Sequence, residues 1–286
     1  MPLAAQNVST REFAFTAADF ERIRRLIRDN AGIALAPSKQ EMVYSRLARR
    51  LRARGLSRFS EYVALLDGSD PAEWQAFVNS LTTNLTSFFR EAHHFAALTA
   101  HVERLRRERR RDLSVWCCAS STGEEPYSIA MTLADAYGTY TPPATVIATD
   151  VDTSVLAKAQ AGVYPAERVA KLTPEQLRRY FVRETGADGE SAYAVRPELR
   201  RLVAFRQVNL LDSRWPIRGP LDAIFCRNVM IYFDKVTQRR ILHRFVPMMH
   251  PDALLFAGHS ENFLHSGDLF RLRGSTVYEL ASAQAR

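Results

Sequence analysis

Beyond Leu113 the chain alternates between two periodicities, and this alternation narrows the fold more than any other feature. The runs "LSVWCCA" (113–119), "ATVIATD" (144–150), "LVAFRQVNLL" (202–211), "LDAIFCRN" (221–228) and "ALLFAGHS" (253–260) are short, apolar and rich in β-branched and aromatic residues. Between several of them lie amphipathic segments of helical length: "SIAMTLADAYG", "TSVLAKAQAG" and "DKVTQRRILHRFVPMM". Strand and helix in alternation predict an open, mostly parallel sheet with helices on both faces. The closing "STVYELA" is expected to be an edge-type strand. One stretch, "RRYFVRETGADGESAYAVRPELRRLVAF", breaks the rhythm with short strands around a glycine-containing turn, and is expected to be a small antiparallel insertion over 178–206.

The first eighty residues have a different character. "TAADFERIRRLIRDNAGI" places Phe20, Ile23, Ile27 and then Ile33 near one helical face, with Thr16 as the cap and Gly32 as the stop. A second helix is expected from Pro37–Ser38 to Gly55, with Met42, Leu47 and Leu51 as its apolar positions. "SRFSEYVALLDG" and "PAEWQAFVNSLTTN" are two shorter helical segments. The expected organisation is a helical domain over 1–81, a linker over 82–95 and an α/β domain over 96–286. At 286 residues, two domains are the ordinary expectation.

Charge separates the halves further. The net charge is +8, which points to an acidic partner, and the arginines cluster between Arg22 and Arg58 and in "RLRRERRR" (104–111). Arg46, Arg49, Arg50 and Arg54 share one face of the second helix. A solvated charged face is the bland alternative, but acidic residues at i+4 are nearly absent there, which favours a docking surface. Apolar residues make up 47% and charged residues 24%, which excludes disordered and fibrous classes. No apolar run approaches the ~20 residues of a membrane span, and the N-terminus has no secretory pattern, so a soluble, cytoplasmic protein is expected. Cys117, Cys118 and Cys226 lack metal-ligand or redox spacing and are expected to be small buried hydrophobes. No metal is expected.

Open parallel sheets bind ligands beyond the carboxyl ends of their strands. That rule selects "ASSTGEEP" (119–126) after the first strand, Asp150 after the second, Asn209 and Leu210 in "VNLL", and Arg227, Asn228 and Tyr232 in "CRNVMIY". The first loop has one glycine, Gly123, and is not GxGxxG. Glu124 and Glu125 would repel a pyrophosphate at the helix N-terminus. A dinucleotide is therefore disfavoured, and so is a nicotinamide-dependent dehydrogenase. S-adenosylmethionine, with an ammonium, a sulfonium, a ribose and no phosphate, suits the loop better. An acid at Asp150 suits a ribose diol, although it equally suits a cap for the helix at "DVDTSV", and Asn228 equally suits a turn.

The segments "TTNLTSFFREAHHF", "ASSTGEEPYSIAMTLADA", "ATDVDTSVLAKAQAGVY", "VNLLD", "LDAIFCRNVMIYFDK" and "LLFAGHSENF" closely resemble the CheR family of chemotaxis receptor methyltransferases, in order and over nearly the whole second half. The helical head is similar to that family's N-terminal domain chiefly in kind and in its basic helix. The resemblance implies a Rossmann-like S-adenosylmethionine-dependent methyltransferase sheet, with a small N-terminal helical domain and an antiparallel β insertion. It implies transfer of the methyl group to glutamate side chains on chemoreceptor cytoplasmic domains, giving γ-glutamyl methyl esters. It implies that Asn84, Thr86, Arg90, Glu125, Asp150, Asn209, Leu210, Arg227 and Asn228 hold the cofactor, and that Arg90 and Tyr232 act on the reacting groups. Between Glu124 and Glu125 the sequence does not choose, and Glu125 is preferred. The implied partner is the receptor's helical bundle, docked on Arg46, Arg49, Arg50 and Arg54. A receptor C-terminal peptide added to the β insertion, whose "RETGADGES" loop is full length, is a further implied partner.

Two other functions compete. A nucleic-acid methyltransferase would explain the arginines, but "RNVMIY" stands where amino-methylating enzymes carry a Pro–Pro–aromatic tetrapeptide. A non-catalytic S-adenosylmethionine sensor would bind without transferring methyl groups. Esterifying a carboxylate needs no general base, since glutamate, with an ordinary pKa of ~4.3, is already ionised at neutral pH. The lack of a His–carboxylate pairing is thus in keeping, and His93 and His94 are expected to be surface or packing residues.

Overall fold

The computed structural model describes residues 11–68, 70–108, 112–185 and 189–281. The end of the run 104–111 and the tip of the "RETGADGES" loop, residues 186–188, lie outside the described residues. The chain forms two compact units, divided between Thr82 and Thr83.

The first unit is helical: α1 (Ala17–Ala31), α2 (Gln40–Arg54), α3 (Phe59–Asp67) and α4 (Pro71–Leu81). The Thr16 side chain accepts the Asp19 N–H and the Asp19 carboxylate reaches back to the Thr16 N–H, so a reciprocal cap starts α1. Gly32 ends it in the left-handed conformation. Phe20, Ile23, Ile27 and Ala31 form the buried stripe of α1. Ile33 falls beyond the helix and is only half-buried, and Leu35 is buried in its place. In α2, which follows a single 3₁₀ turn at Pro37–Lys39, Val43 rather than Met42 turns inward with Leu47, Ala48 and Leu51.

The arginine face of α2 differs from the sequence expectation. Its acidic partners come from α4 instead of from i+4. Glu73, 0% exposed, accepts from Arg50 Nε (3.0 Å) and Nη2 (2.6 Å), Arg54 Nε (2.5 Å) and the Tyr62 hydroxyl (2.7 Å). Arg54 also reaches Asp70 (2.9 Å). Burial alone would raise the Glu73 carboxyl, but the bonds from Arg50, Tyr62 and Arg54 together hold it at about 2. Arg46 donates to the carbonyls of Leu81 and Thr82, tying off the end of α4. Arg49 is exposed and makes no ion pair among the described residues.

The second unit contains α5 (His93–Glu108), β1 (Leu113–Cys117), α6 (Glu124–Tyr137), β2 (Ala144–Asp150), α7 (Thr153–Ala161), β3 (Val163–Pro165), α8 (Ala166–Val169), α9 (Pro174–Tyr180), β4 (Phe181–Thr185), β5 (Ser191–Val195), α10 (Pro197–Arg200), β6 (Val203–Gln207), β7 (Leu221–Cys226), α11 (Lys235–Phe245), β8 (Met249–Ala257), β9 (Phe270–Gly274) and β10 (Val277–Leu280). The main sheet runs β6-β2-β1-β7-β8-β10-β9, with the first five strands parallel and β10 and β9 antiparallel. "STVYELA" therefore supplies an inner strand. The edge on that side is β9, "FRLRG", whose alternating arginines give a weak strand signal, and β6 is the opposite edge. The small antiparallel sheet is β3-β5-β4. It recruits β3 from ahead of the stretch 178–206, whereas β6 at the end of that stretch belongs to the main sheet.

Side chains alternate between two cores, one on each face of the main sheet. Val115, Cys117, Ala223, Phe225, Leu254 and Phe256 point to the face covered by α5 and α6. Trp116, Ile224, Leu255 and Cys226 point to the face covered by α11. All three cysteines are free and buried. Burying both faces explains why these strands read as continuous apolar runs.

Candidate functional site

Strand order reverses between β1 and β7: from β1 the chain proceeds outward to β2 and β6, then crosses to β7 and β8. The loops leaving β1 and β7 therefore diverge at their carboxyl ends and open a crevice.

The loop after β1 is shaped by Gly123, at φ +100°, where a Cβ would stand 2.6 Å from the Tyr164 hydroxyl. The two acids that follow go separate ways. Glu124 is fully buried and bound by Arg168 and by the Thr122 hydroxyl (2.6 Å). Glu125 leans to the switch point, where it pairs with Arg227 from the end of β7 and accepts the Cys117 thiol (3.3 Å). Desolvation, with the Glu125 charge beside it, pushes the Cys117 thiol well above its ordinary value. Arg227, its side chain 0% exposed, reaches the Arg90 carbonyl (2.5 Å) with its other nitrogen and lies 3.4 Å from Glu91 Oε2.

Asp150 ends β2. Its carboxylate accepts the backbone N–H of Ser121 (2.8 Å) and of Asp152 (3.0 Å), and burial raises it to about 6 despite these bonds. The cap of α7 is Asp152, which accepts from Ser154 and Val155, so Asp150 is not used for that purpose.

The stretch 83–92 is irregular and crosses these strand ends. Asn84 donates to Asp152 (3.0 Å) beside β2, and Thr86 is half-buried. Phe88 is buried edge-on against Tyr164 and Phe181. The Phe89 N–H donates to Ser128 in α6 (2.9 Å), and the Arg90 guanidinium curls back to the Leu85 carbonyl (2.8 Å). Phe88 and Phe89 thus anchor the segment against Tyr164, Phe181, Phe95 and α6.

Asn209 follows β6, and its side chain accepts the Leu211 N–H (3.0 Å) in a local turn, while Leu210 is buried with the Trp116 core. Asn228 adopts a left-handed conformation at φ +57°. Tyr232 ends the 3₁₀ turn Met230–Tyr232 and is half-buried. Four non-glycine residues around the crevice, Phe89, Glu91, Ser121 and Asn228, have positive φ. Such strain collects where a site over-determines its backbone.

Glu91 and Glu261 carry no motif or spacing that marks them in the sequence. Glu91 lies between Arg227 and His259 Nδ1 (3.2 Å), and His94 Nδ1 is 3.6 Å away. Glu91, His93 and His94 bring potential ligand atoms within 4.8 Å of one another, but the Arg227 cation already answers the Glu91 charge. His94 is fully buried against Phe256, and desolvation first, then Arg227, lowers it to about 4, so it is neutral. Glu261 is buried beneath the loop after β7.

A reversing parallel sheet, an acid at the end of the second strand and a first loop closed to phosphate by two buried acids define a Rossmann-like, S-adenosylmethionine-dependent methyltransferase. Residues 84–279 match the family described as "CheR methyltransferase, SAM binding domain", and residues 18–82 match "CheR methyltransferase, all-alpha domain". The chain belongs to the CheR methyltransferase family. It is 56% identical over 273 residues to the "Chemotaxis protein methyltransferase" of Escherichia coli (strain K12), covering 95% of this chain and 94% of that one. It is 54% identical over 277 residues to the protein of the same description from Salmonella typhimurium, covering 96% and 94%. It is 53% identical over 270 residues to "Chemotaxis protein methyltransferase 2" of Pseudomonas aeruginosa, covering 94% and 95%.

Proposed function

We infer that this protein transfers the methyl group of S-adenosylmethionine to glutamate side chains of chemoreceptor cytoplasmic domains, forming γ-glutamyl methyl esters in the cytoplasm. The observation that carries the site assignment is the Glu125–Arg227 pair across the switch point, flanked by Asp150 and by the crossing segment Asn84–Arg90. These residues suit the cofactor. Asp150 offers a carboxylate to a ribose diol, Glu125 offers negative charge to an ammonium, and no bare helix N-terminus awaits a phosphate. Asn84, Thr86, Arg90, Asn209, Leu210, Arg227 and Asn228 complete the enclosure in this proposal, and Glu125 is preferred to Glu124 because Arg168 already engages the latter.

Bound S-adenosylmethionine supplies an electrophilic methyl group on a sulfonium. The residues of the chain align that methyl with an ionised substrate carboxylate, which can lower the barrier by roughly 7–11 kcal/mol in favourable cases. Arg90 presents a tension. A guanidinium beside the nucleophile keeps it ionised but blunts its attack, so Arg90 contributes through orientation. Tyr232, beyond the end of β7, hydrogen-bonds the carboxylate or shapes the methyl channel in this proposal. For docking on the first unit, the structure narrows the proposal: Glu73 occupies Arg50 and Arg54, which leaves Arg49 as the most available cation of the four. The small sheet has open edges at β3 and β4, which suit an added receptor strand.

The test is to incubate the protein with methyl-labelled S-adenosylmethionine and a receptor cytoplasmic fragment, and then treat with mild alkali. Label that enters the fragment and leaves as methanol supports glutamyl esterification. Alkali-stable label, or label on nucleic acid instead, overturns it.

A further inference from the structure

We propose that Glu261 is a positioning residue for the reaction, holding the loop after β7 in the conformation that presents Asn228 and Tyr232. Its carboxylate is buried and collects five backbone N–H groups. Oε2 accepts from Asn228 (2.9 Å) and Gly258 (2.6 Å), and Oε1 accepts from Val229 (3.0 Å), Met230 (2.7 Å) and Ile231 (3.3 Å). Four consecutive amides thus converge on one side chain that comes from the loop after β8. The loop's carbonyls are held separately, since Gln238 of α11 donates to Met230 (2.8 Å) and Phe233 (3.0 Å).

This arrangement does something that packing does not. Asn228 sits at φ +57°, a conformation costing a non-glycine residue about 1–3 kcal/mol unless its surroundings impose it. Four N–H groups pointing one way need an acceptor, and the buried Glu261 carboxylate both satisfies them and fixes the turn. The fit is tight from the other side as well. A Cβ on Gly258 would lie 2.3 Å from Asn228 Nδ2 and 2.9 Å from its backbone nitrogen. Both oxygens of Glu261 are committed to these amides, which leaves it no proton-transfer role. It acts through Asn228 and Tyr232.

The proposal rests on the reading that Asn228 faces the cofactor, and the experiment separates the two. Glu261→Gln presents an NH₂ group to amides that need an acceptor, while keeping size and shape. Binding of S-adenosylhomocysteine is measured by calorimetry for the wild type, Glu261→Gln and Asn228→Ala, together with kcat and KM for both substrates. The expected result for Glu261→Gln is unit binding stoichiometry, at least fivefold weaker S-adenosylhomocysteine binding, at least tenfold lower kcat and an unchanged KM for receptor fragment. A merely structural residue would instead lower the active fraction, giving sub-unit stoichiometry with wild-type affinity, and that outcome overturns the proposal. Loss of affinity in Asn228→Ala with none in Glu261→Gln also overturns it, while leaving the site assignment standing. Wild-type affinity in both variants removes the site assignment too. Should Glu261→Gln fail to fold, hydrogen exchange of the unliganded wild type decides. Strong protection of amides 228–231 supports the proposal, and exchange at open-loop rates refutes it.

Discussion

Asp150 makes a prediction whose size follows from its surroundings. Burial raises its carboxyl from 3.8 to about 6, against the pull of the Ser121 and Asp152 amides. At pH 7 the group is about nine-tenths ionised, and at pH 5 only about one-tenth. A hydroxyl bonded to a carboxylate contributes about 1.5–3 kcal/mol against about 1 for a neutral acceptor. Losing the charge therefore costs about 1.4 kcal/mol, which is about tenfold in affinity. Because about one-tenth of the group is still ionised at pH 5, S-adenosylhomocysteine should bind about fivefold more weakly there than at pH 7. Below pH 6 its binding should release protons, visible as calorimetric heats that scale with the ionisation enthalpy of the buffer. Asp150→Asn should bind weakly at both pH values, with the pH dependence gone. The same shift has a stability consequence of opposite sense. Between 3.8 and about 6 the folded chain holds a proton that the unfolded chain does not, so the contribution of Asp150 to stability falls as pH rises through that window. Wild-type affinity that is flat from pH 5 to 7 would show that Asp150 does not contact the ligand through its charge.

Other perturbations probe different parts. Arg90→Ala should lower kcat/KM at least tenfold, and unchanged turnover with intact cofactor binding would remove Arg90 from the reaction. Arg49→Glu should raise KM for the receptor fragment and leave the melting temperature unmoved, and KM for the wild type should rise with salt; a salt-independent KM contradicts electrostatic docking. Glu73→Leu breaks a buried carboxylate's pairing with two arginines that are 27% and 36% exposed, and should destabilise the first unit by about 3 kcal/mol in chemical denaturation. Tyr232→Phe distinguishes a hydrogen bond from a channel wall: lower kcat indicates the bond, and unchanged kcat indicates the wall.

Periodicity carried the fold as far as local pattern can. β1, β2, β7 and β8 were legible because inner strands covered on both faces are largely apolar, β6 because its first residues form a short apolar run even at the sheet's edge, and α1 because Thr16 and Gly32 mark its ends chemically. The edge strand β9 was not legible: a strand exposed on one side keeps Arg271 and Arg273, and its pattern resembles a charged loop. β3, three residues long, is defined by its pairing with β5 and by nothing local. The arginines of α2 misled for a related reason. Their partner Glu73 is 23 residues from Arg50 and 19 from Arg54, beyond any i+4 test. In the crevice, the strand-end rule located Asp150, Arg227 and Asn228, whereas Thr86 and Leu210 were named by resemblance and strand position without a physical contact to argue from. Glu91 and Glu261 escaped because a carboxylate that gathers amides from another loop looks like any other acid in sequence.

The distribution of charge in the crevice fits a reaction that asks for alignment instead of proton transfer. Arg227, Glu91, Asp152 and Glu261 use their hydrogen bonds on other side chains or on backbone groups, and these bonds join segments distant in sequence: Arg227 joins β7 to the crossing segment, Asp152 joins that segment to α7 through Asn84, and Glu261 joins the ends of β7 and β8. Backbone strain of about 1–3 kcal/mol at each of Phe89, Glu91, Ser121 and Asn228 is a cost that local sequence does not repay. Charge-assisted bonds of about 1.5–3 kcal/mol each are large enough to offset it. An enzyme that needed an acid or a base would have to leave a titrating group free to exchange protons. Burial pushes Asp150, Glu261 and His94 toward their neutral forms, but Glu261 is committed to backbone amides and His94 is buried against Phe256, and the Asp150 charge serves in the proposed function to recognise a ribose. Rate enhancement then depends on how rigidly the loops after β1 and β7 and the segment Asn84–Arg90 are held, so positioning residues away from the methyl group should weigh on kcat as heavily as residues that touch it.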